Sequence, residues 1–311
     1  LPAAGQTLLF QQLLLASVAV LADPSQSPQL GRLLSQPVAW SDLEAWLGAN
    51  RLSPLFYYVL RSADMRSQVP ADVLARLRQG YYLSLLRSDR LDAELERIVP
   101  ALRAEGIPVM LLKGAALARS VYPSPALRPM DDLDVLIPGS QVAQAVARLE
   151  ALGYRPRPDP AGYSARFVQQ FLGEQMWSRT AAEPGCGQDP PGQGAFPAAA
   201  AGQQLLVDVH WRLLTVEWYR HTARLDVDAL WAAARPLDRD GVAAWQLSPE
   251  DTLIHLCLHA AIQHAYVWPA LSYVDVDRVV RASDPAVDWE LLQRRSAAFR
   301  VGLPVYFGLR F

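Results

Sequence analysis

The chain has 311 residues, 51% of them apolar and 19% charged, and a formal net charge of −2. This is the composition of a globular protein with enough material for a large core, and its charge gives no bulk attraction to nucleic acid. Two cysteines, Cys186 and Cys257, exclude a disulfide framework and a four-cysteine zinc site, and such sparing use fits a reducing cytoplasm.

Residues 8 to 21 form an apolar stretch that Gln11 and Gln12 interrupt and no basic segment precedes. An amphipathic first helix is therefore expected rather than a leader, and no run reaches the ~20 continuous apolar residues of a membrane span. Ser41-Asp42-Leu43-Glu44 reads as a capping box, and Ser53-Pro54 and Val69-Pro70 put proline where a first helical turn tolerates it. From Pro70 to Arg103 a long helix is expected, with Leu91, Leu95, Ile98 and Leu102 on one stripe. Gly80 and Pro100 should weaken or kink it. Residues 1–100 read as a helical domain, a packing scaffold without chemistry of its own.

The most informative stretch is 107–137. An apolar run, Val109 to Leu112, stops at Lys113-Gly114; a helix-compatible segment and a Pro-rich loop follow, and a second apolar run carries Asp132-Leu133-Asp134. Side chains two apart on a strand share a face, so Asp132 and Asp134 project together while Leu133 and Val135 turn into a core. Paired carboxylates repel unless a cation lies between them, and Mg²⁺ suits such oxygen donors. On this reading, neutralising Asp134 relieves repulsion in the metal-free chain. Lys113 is the chain's only lysine, a compact ammonium suited to phosphate. Gly114 would let backbone N–H groups at the start of the next helix approach a phosphate.

Further on, Ser140 can cap a helix over 141–152 that stops at Gly153. Residues 181–203 are rich in Gly, Ala, Pro and Gln and read as a disordered loop. Order returns at Leu205-Leu206-Val207-Asp208-Val209-His210-Trp211, a strand with Asp208 and His210 on one face. Set beside the first acidic strand, it would bring Asp208 to Asp132 and Asp134, the carboxylate set of a two-metal phosphoryl-transfer site. Ser248-Pro249-Glu250-Asp251 starts another helix carrying His255 and His259. His264, nine residues from His255, should fall on the opposite face. Asp275 and Asp277 read as surface or hinge carboxylates.

Leu112-Lys113-Gly114, Tyr122-Pro123, Arg128, Asp132-Leu133-Asp134-Val135-Leu136 and Asp208-Val209-His210-Trp211 together resemble a family of largely uncharacterised bacterial nucleotidyltransferases. The wider superfamily includes DNA polymerase beta and the aminoglycoside nucleotidyltransferases. The similarity extends to Pro54-Leu55-Phe56-Tyr57 and His255-Leu256-Cys257-Leu258-His259, and so spans most of the chain. It implies an α/β fold: a small mixed sheet in a core of 101–215, between helical regions at 1–100 and 216–311. It also implies Mg²⁺-dependent transfer, on two ions, of a nucleoside monophosphate from an NTP to an acceptor that the sequence does not name. Asp132, Asp134 and Asp208 would hold metal, with Asp208 helping to deprotonate the acceptor; Lys113, Gly114, Arg128 and His210 would bind the nucleotide. Two departures stand out. Ala115 replaces the serine that usually follows the glycine, and the 181–203 tract stands where a strand leading into Asp208 is expected. Both favour the alternative of a catalytically silent nucleotide- or peptide-binding module.

Overall fold

The computed structural model describes residues 4–158, 162–164, 167–168, 172–180, 204–214, 222–239, 242–265 and 269–310; the 181–203 tract lies outside them. Within these residues five helices come first: α1 (Ala4–Ala22), α2 (Ser27–Leu34), α3 (Trp40–Ala49), α4 (Ser53–Ser62) and α5 (Ala71–Ala104). Strands then alternate with short helices: β1 (Met110–Leu111), α6 (Lys113–Ser120), β2 (Leu133–Leu136), α7 (Val142–Ala151), β3 (Arg155–Pro156), β4 (Glu174–Thr180) and β5 (Gln204–His210). After them come α8 (Val227–Ala232), the hairpin β6 (Arg235–Arg239) and β7 (Val242–Gln246), and the helices α9 (Pro249–Ile262), α10 (Leu271–Ala282), α11 (Trp289–Ala298) and α12 (Gly302–Arg310). The strands form one mixed sheet in the order β3-β4-β5-β2-β1-β7-β6, so the protein has the expected α/β fold.

Strand alternation decides which core each side chain joins. Val109, Leu111, Leu133, Val135, Ile137, Val207 and Val209 share a cluster with Leu91, Leu95, Ile98 and Leu102, the expected stripe of α5. Met110, Leu112 and Leu136, on the opposite face, join a second cluster that runs from Leu9 in α1 to Val305 in α12. Helices α1–α4, the first part of α5 and the helices after the sheet are thus packed together against the face that carries the acidic side chains, while the later part of α5 covers the other face.

Helix α5 is continuous over 34 residues with Pro100 inside it; the buried stripe carries it past one lost backbone hydrogen bond near its end. Several local expectations are corrected. The capping box at Ser41 does not form, because α3 starts at Trp40 without a side-chain cap. Glu44 instead accepts two hydrogen bonds from Arg76 Nε, at 2.7 and 2.9 Å. The strand thought to be displaced by the low-complexity tract is present just before it: β4 pairs antiparallel with β5 from Glu174 opposite His210 to Thr180 opposite Gln204. Helix α1 includes an 18-residue window, Gly5–Ala22, apolar and long enough to cross a membrane, of which 39% is buried in the protein. Its Leu9, Phe10, Leu13, Ala16 and Val20 are core residues, whereas Leu8 and Leu15 are exposed.

Asp275 is neither surface nor hinge. It is fully buried in α10, accepts both of its contacts with Arg128 Nε at 2.8 and 2.9 Å, and accepts the Tyr122 hydroxyl at 2.7 Å. Burial pushes its carboxyl up despite the Arg128 charge, as expected where desolvation rivals Coulomb attraction. Such a pair adds little net stability yet is costly to break on one side. Asp275→Asn should therefore lower unfolding free energy by about 3 kcal/mol or more. The paired change Arg128→Met with Asp275→Leu should cost less than either single change; denaturant unfolding of the three variants checks this, and a near-neutral Asp275→Asn would contradict it.

Candidate active site

Strands β2 and β5 run parallel, with Asp134 opposite Asp208 and Leu136 opposite His210. Two carboxylates are thereby held at the same level on one face of the sheet. The charge this gathers is met from two sides. Lys113 Nζ donates to Asp134 Oδ1 at 2.7 Å, and His210 Nε2 lies 3.1 Å from the same oxygen and 3.3 Å from Asp208 Oδ2. The other ring nitrogen, Nδ1, is 3.1 Å from Glu174 Oε2, although not aligned as a hydrogen bond.

The protonation states follow from this crowding. Burial opposes a charged His210, but Asp208, Asp134 and Glu174 outweigh it and hold the imidazole well above its ordinary range. Burial likewise opposes the Lys113 ammonium, and Asp134 outweighs it. Burial would raise the Asp134 carboxyl, yet Lys113 and His210 drive it well below the usual carboxylate range. Asp132 differs: burial and then the Asp134 charge push it up to about 6.

A cavity of 360 Å³ opens over this face. Lys113, Gly114, Arg128, Asp132, Asp134 and Asp208, all singled out in the sequence, line it. His210, expected among the nucleotide-binding residues, does not; it is buried behind Asp134 and Asp208 and holds them together. Arg128 reaches the cavity, but its Nε is committed to Asp275. The left-handed residue at the turn is Lys113 (φ 41°) rather than Gly114. Gly114 is needed for a different reason, since a Cβ there would lie 2.7 Å from Met130 Cγ. Ala115 is buried at 1% exposure in the core below the sheet, so a hydroxyl missing there removes no donor from the cavity wall.

The sequence reading missed Glu174 and Arg51, which line the cavity from β4 and from the loop after α3. Helix α9 ends at Ile262, before His264, so helical phase does not carry to that residue; its ring lies beside His259, centroids 4.9 Å apart. Both line the cavity. Burial, then the Lys113 charge, lowers His255 to about 3 and His259 to about 2, so these two imidazoles are neutral at physiological pH.

Residues 36–311 match the family described as uncharacterised nucleotidyltransferase, and the chain belongs to that family. Among solved structures it is similar to ANT(2″)-Ia in complex with adenylyl-2″-tobramycin, at 16% identity and a TM-score of 0.39 over 65% of this chain and 92% of that one. It is also similar to an antigenic nucleotidyltransferase-like protein from Paracoccidioides brasiliensis, at 13% identity and a TM-score of 0.40 over 72% and 93%. A solution structure of the antibiotic-resistance factor ANT(2″)-Ia aligns at 15% identity and a TM-score of 0.40, over 71% and 96%. No curated protein matches the chain significantly.

Two predictions follow from the charge arrangement. Asp134 is the hub that compensates buried Lys113 and His210, so the expectation that its neutralisation is harmless without metal reverses. Asp134→Asn should destabilise the metal-free protein by about 2 to 4 kcal/mol, read as a lowered melting temperature.

Asp132 behaves oppositely. Its folded pKa of about 6 exceeds the ordinary 3.8, so the folded state binds the proton more tightly, and the residue's contribution to stability falls as pH rises between these values. His210 begins to lose its proton in the unfolded state only at the top of that window, from an ordinary value of 6.5, and does so in parent and variant alike, so the comparison cancels it. Relative to Asp132→Asn, the metal-free parent should lose about 1 to 3 kcal/mol between pH 4 and pH 6. Melting curves of parent and variant that run parallel across this window would refute the assignment.

Proposed function

We propose that the protein transfers a nucleoside monophosphate from an NTP to a hydroxyl of a small molecule, peptide or protein. Asp134 and Asp208 would hold one Mg²⁺ and Asp132 would contribute to a second. The observation that carries this reading is the state of Asp208. Its Oδ1 is buried and has no hydrogen-bond partner among the described residues, in register with Asp134 at a cavity wall. A buried carboxylate oxygen is costly to leave unsatisfied, and a cation or a ligand hydroxyl would satisfy it.

The donor set fits such a cation. Asp134 and Asp208 belong to a group of three residues, with His210, whose polar atoms lie within 4.8 Å of one another; the two carboxylates supply the oxygens that Mg²⁺ prefers, and charged His210 braces them rather than ligating. Lys113 and His210 already offset much of the negative charge, so metal affinity should be weak until a triphosphate adds its own oxygens. When bound, the ions would neutralise charge on the triphosphate and favour the ionised acceptor.

The chain's own groups do the rest. Asp208 helps take the acceptor's proton as the acceptor oxygen bonds to the α-phosphorus and the bond to pyrophosphate breaks. Lys113 keeps Asp134 ionised and in place, His210 fixes the spacing of Asp134 and Asp208, and Gly114 keeps the wall low. A cytoplasmic location suits the buried free thiol of Cys257. The silent-module alternative loses its main support, because Ala115 faces the core rather than the cavity.

Thermal shift with each common ribonucleoside triphosphate tests the reading. Stabilisation should require Mg²⁺ and vanish in Asp208→Asn; because Asp208 also compensates buried His210, the variant should melt lower than the parent without ligand, and the comparison is made on the shift that NTP and Mg²⁺ add to each. Pyrophosphate release by the variant should fall by about two to four orders of magnitude. Metal-independent NTP stabilisation that survives Asp208→Asn would favour the silent module.

A further inference from the structure

Arg51 lies in the loop between α3 and α4, within the helices that the sequence presents as scaffold, yet it lines the cavity together with Lys113 and Arg128. These three basic residues differ in how firmly they are held. Lys113 and its partner Asp134 have side chains 13% and 10% exposed, and Arg128 and Asp275 are 12% and 0% exposed. Arg51 pairs with Asp131 at 2.7 Å, with side chains 35% and 64% exposed. A half-solvated pair is held weakly, whereas pulling a cation from a buried partner leaves an uncompensated charge. An incoming anion therefore displaces Asp131 from Arg51 far more readily than it displaces Asp134 or Asp275 from theirs.

The surroundings are arranged for that exchange. Arg87 Nη2 donates to the Asp131 carbonyl at 2.8 Å, and its Nε lies 3.8 Å from Asp131 Oδ1, so Asp131 keeps a cation nearby when Arg51 leaves. The Arg51 backbone is anchored by its neighbour: Asn50 Oδ1 accepts from Ala270 N at 2.9 Å, and Asn50 Nδ2 donates to Trp46 O at 2.8 Å. Arg51 itself has φ 60°, with its N–H on Gly48 O and the Leu52 N–H on Leu47 O. This is a Schellman ending, whose left-handed position favours glycine. Arg300 shows the same φ sign without lining this cavity, so strain alone is no argument. What distinguishes Arg51 is a strained cation with an exchangeable partner at the mouth of the site.

We propose that Arg51 is a phosphate-binding residue, releasing Asp131 to bind the outer phosphates of the NTP. This rests on the nucleotidyl-transfer reading above. Arg51 pairs with Asp131, whereas Asp134 and Asp208 are met by Lys113 and His210; Arg51 thus stands beside the carboxylates assigned to the reacting phosphorus, and the outer phosphates are the ones left for it.

Glycine separates a binding role from a structural one, because Arg51→Gly relieves the left-handed strain while removing the guanidinium. With Mg²⁺ present, binding of the four common ribonucleoside triphosphates and the matching monophosphates is measured by calorimetry, beside melting temperature. Arg51→Gly should melt no lower than the parent and lose about tenfold in triphosphate affinity, with monophosphate affinity unchanged. Asp131→Ala should bind triphosphate more tightly, and adding Arg51→Gly to it should abolish the gain. Arg51→Gln serves the same comparison if the glycine variant does not fold. A parent that binds triphosphate, with Arg51 variants of equal affinity, overturns this inference and leaves the transfer reading standing. A parent that binds no triphosphate overturns both.

Discussion

The structure depends on one pairing, the parallel contact of β2 with β5 that sets Asp134 directly opposite Asp208. Parallel strands in register align identical positions, so two acidic residues at matching places become neighbours by backbone geometry rather than by side-chain choice. That proximity is unfavourable by itself. Lys113 from the start of α6 and His210, two residues beyond Asp208 on the same strand, make it tenable, and the short distances to Asp134 show that both are engaged with it.

Burying this charge requires a lid of protein, and the chain draws it from both ends. The face of the sheet that carries Asp134 also carries Leu136, Met110 and Leu112, which join a core shared by helices from α1 to α12. The cavity is what remains where that core stops short of the carboxylates, and its far wall comes from the loop after α3, the end of α9 and the start of α10. The Arg128–Asp275 pair ties the loop before β2 to α10. Residues distant in sequence thus set the shape of the site, although the carboxylates come from a short central stretch.

Legibility followed the range of the interactions. The acidic strands, the α5 stripe and the helix capped by Ser248 were readable because two-residue and 3.6-residue periods are local. Asp208 beside Asp134 was inferable because both sit on apolar strands with the same alternation. What failed depended on contacts between distant segments. Nothing near Arg51 announces a cavity, and nothing near Asp275 announces that Arg128 will meet it 147 residues away. The pairing of His264 with His259 was not legible, because His264 lies two residues past the end of α9, where helical phase no longer sets position. Gly114 was singled out for backbone access to a phosphate, whereas its missing Cβ also makes room for Met130, and the left-handed backbone falls on Lys113.

The direction of β4 and β5 has a consequence for how this protein can vary. Strand β4 begins at the site, with Glu174 opposite His210, and ends away from it, with Thr180 opposite Gln204. Strand β5 retraces that path toward Asp208. The connection between them therefore leaves and rejoins the sheet at the edge remote from the carboxylates, about 13 Å of strand from Asp208. The register that sets Asp208 is fixed by the β4–β5 pairing itself, and the two strand ends joined by this connection, Thr180 and Gln204, are the ones furthest from Asp208. An unusual stretch of sequence beside a functional strand is, in this topology, no sign that the function has been lost.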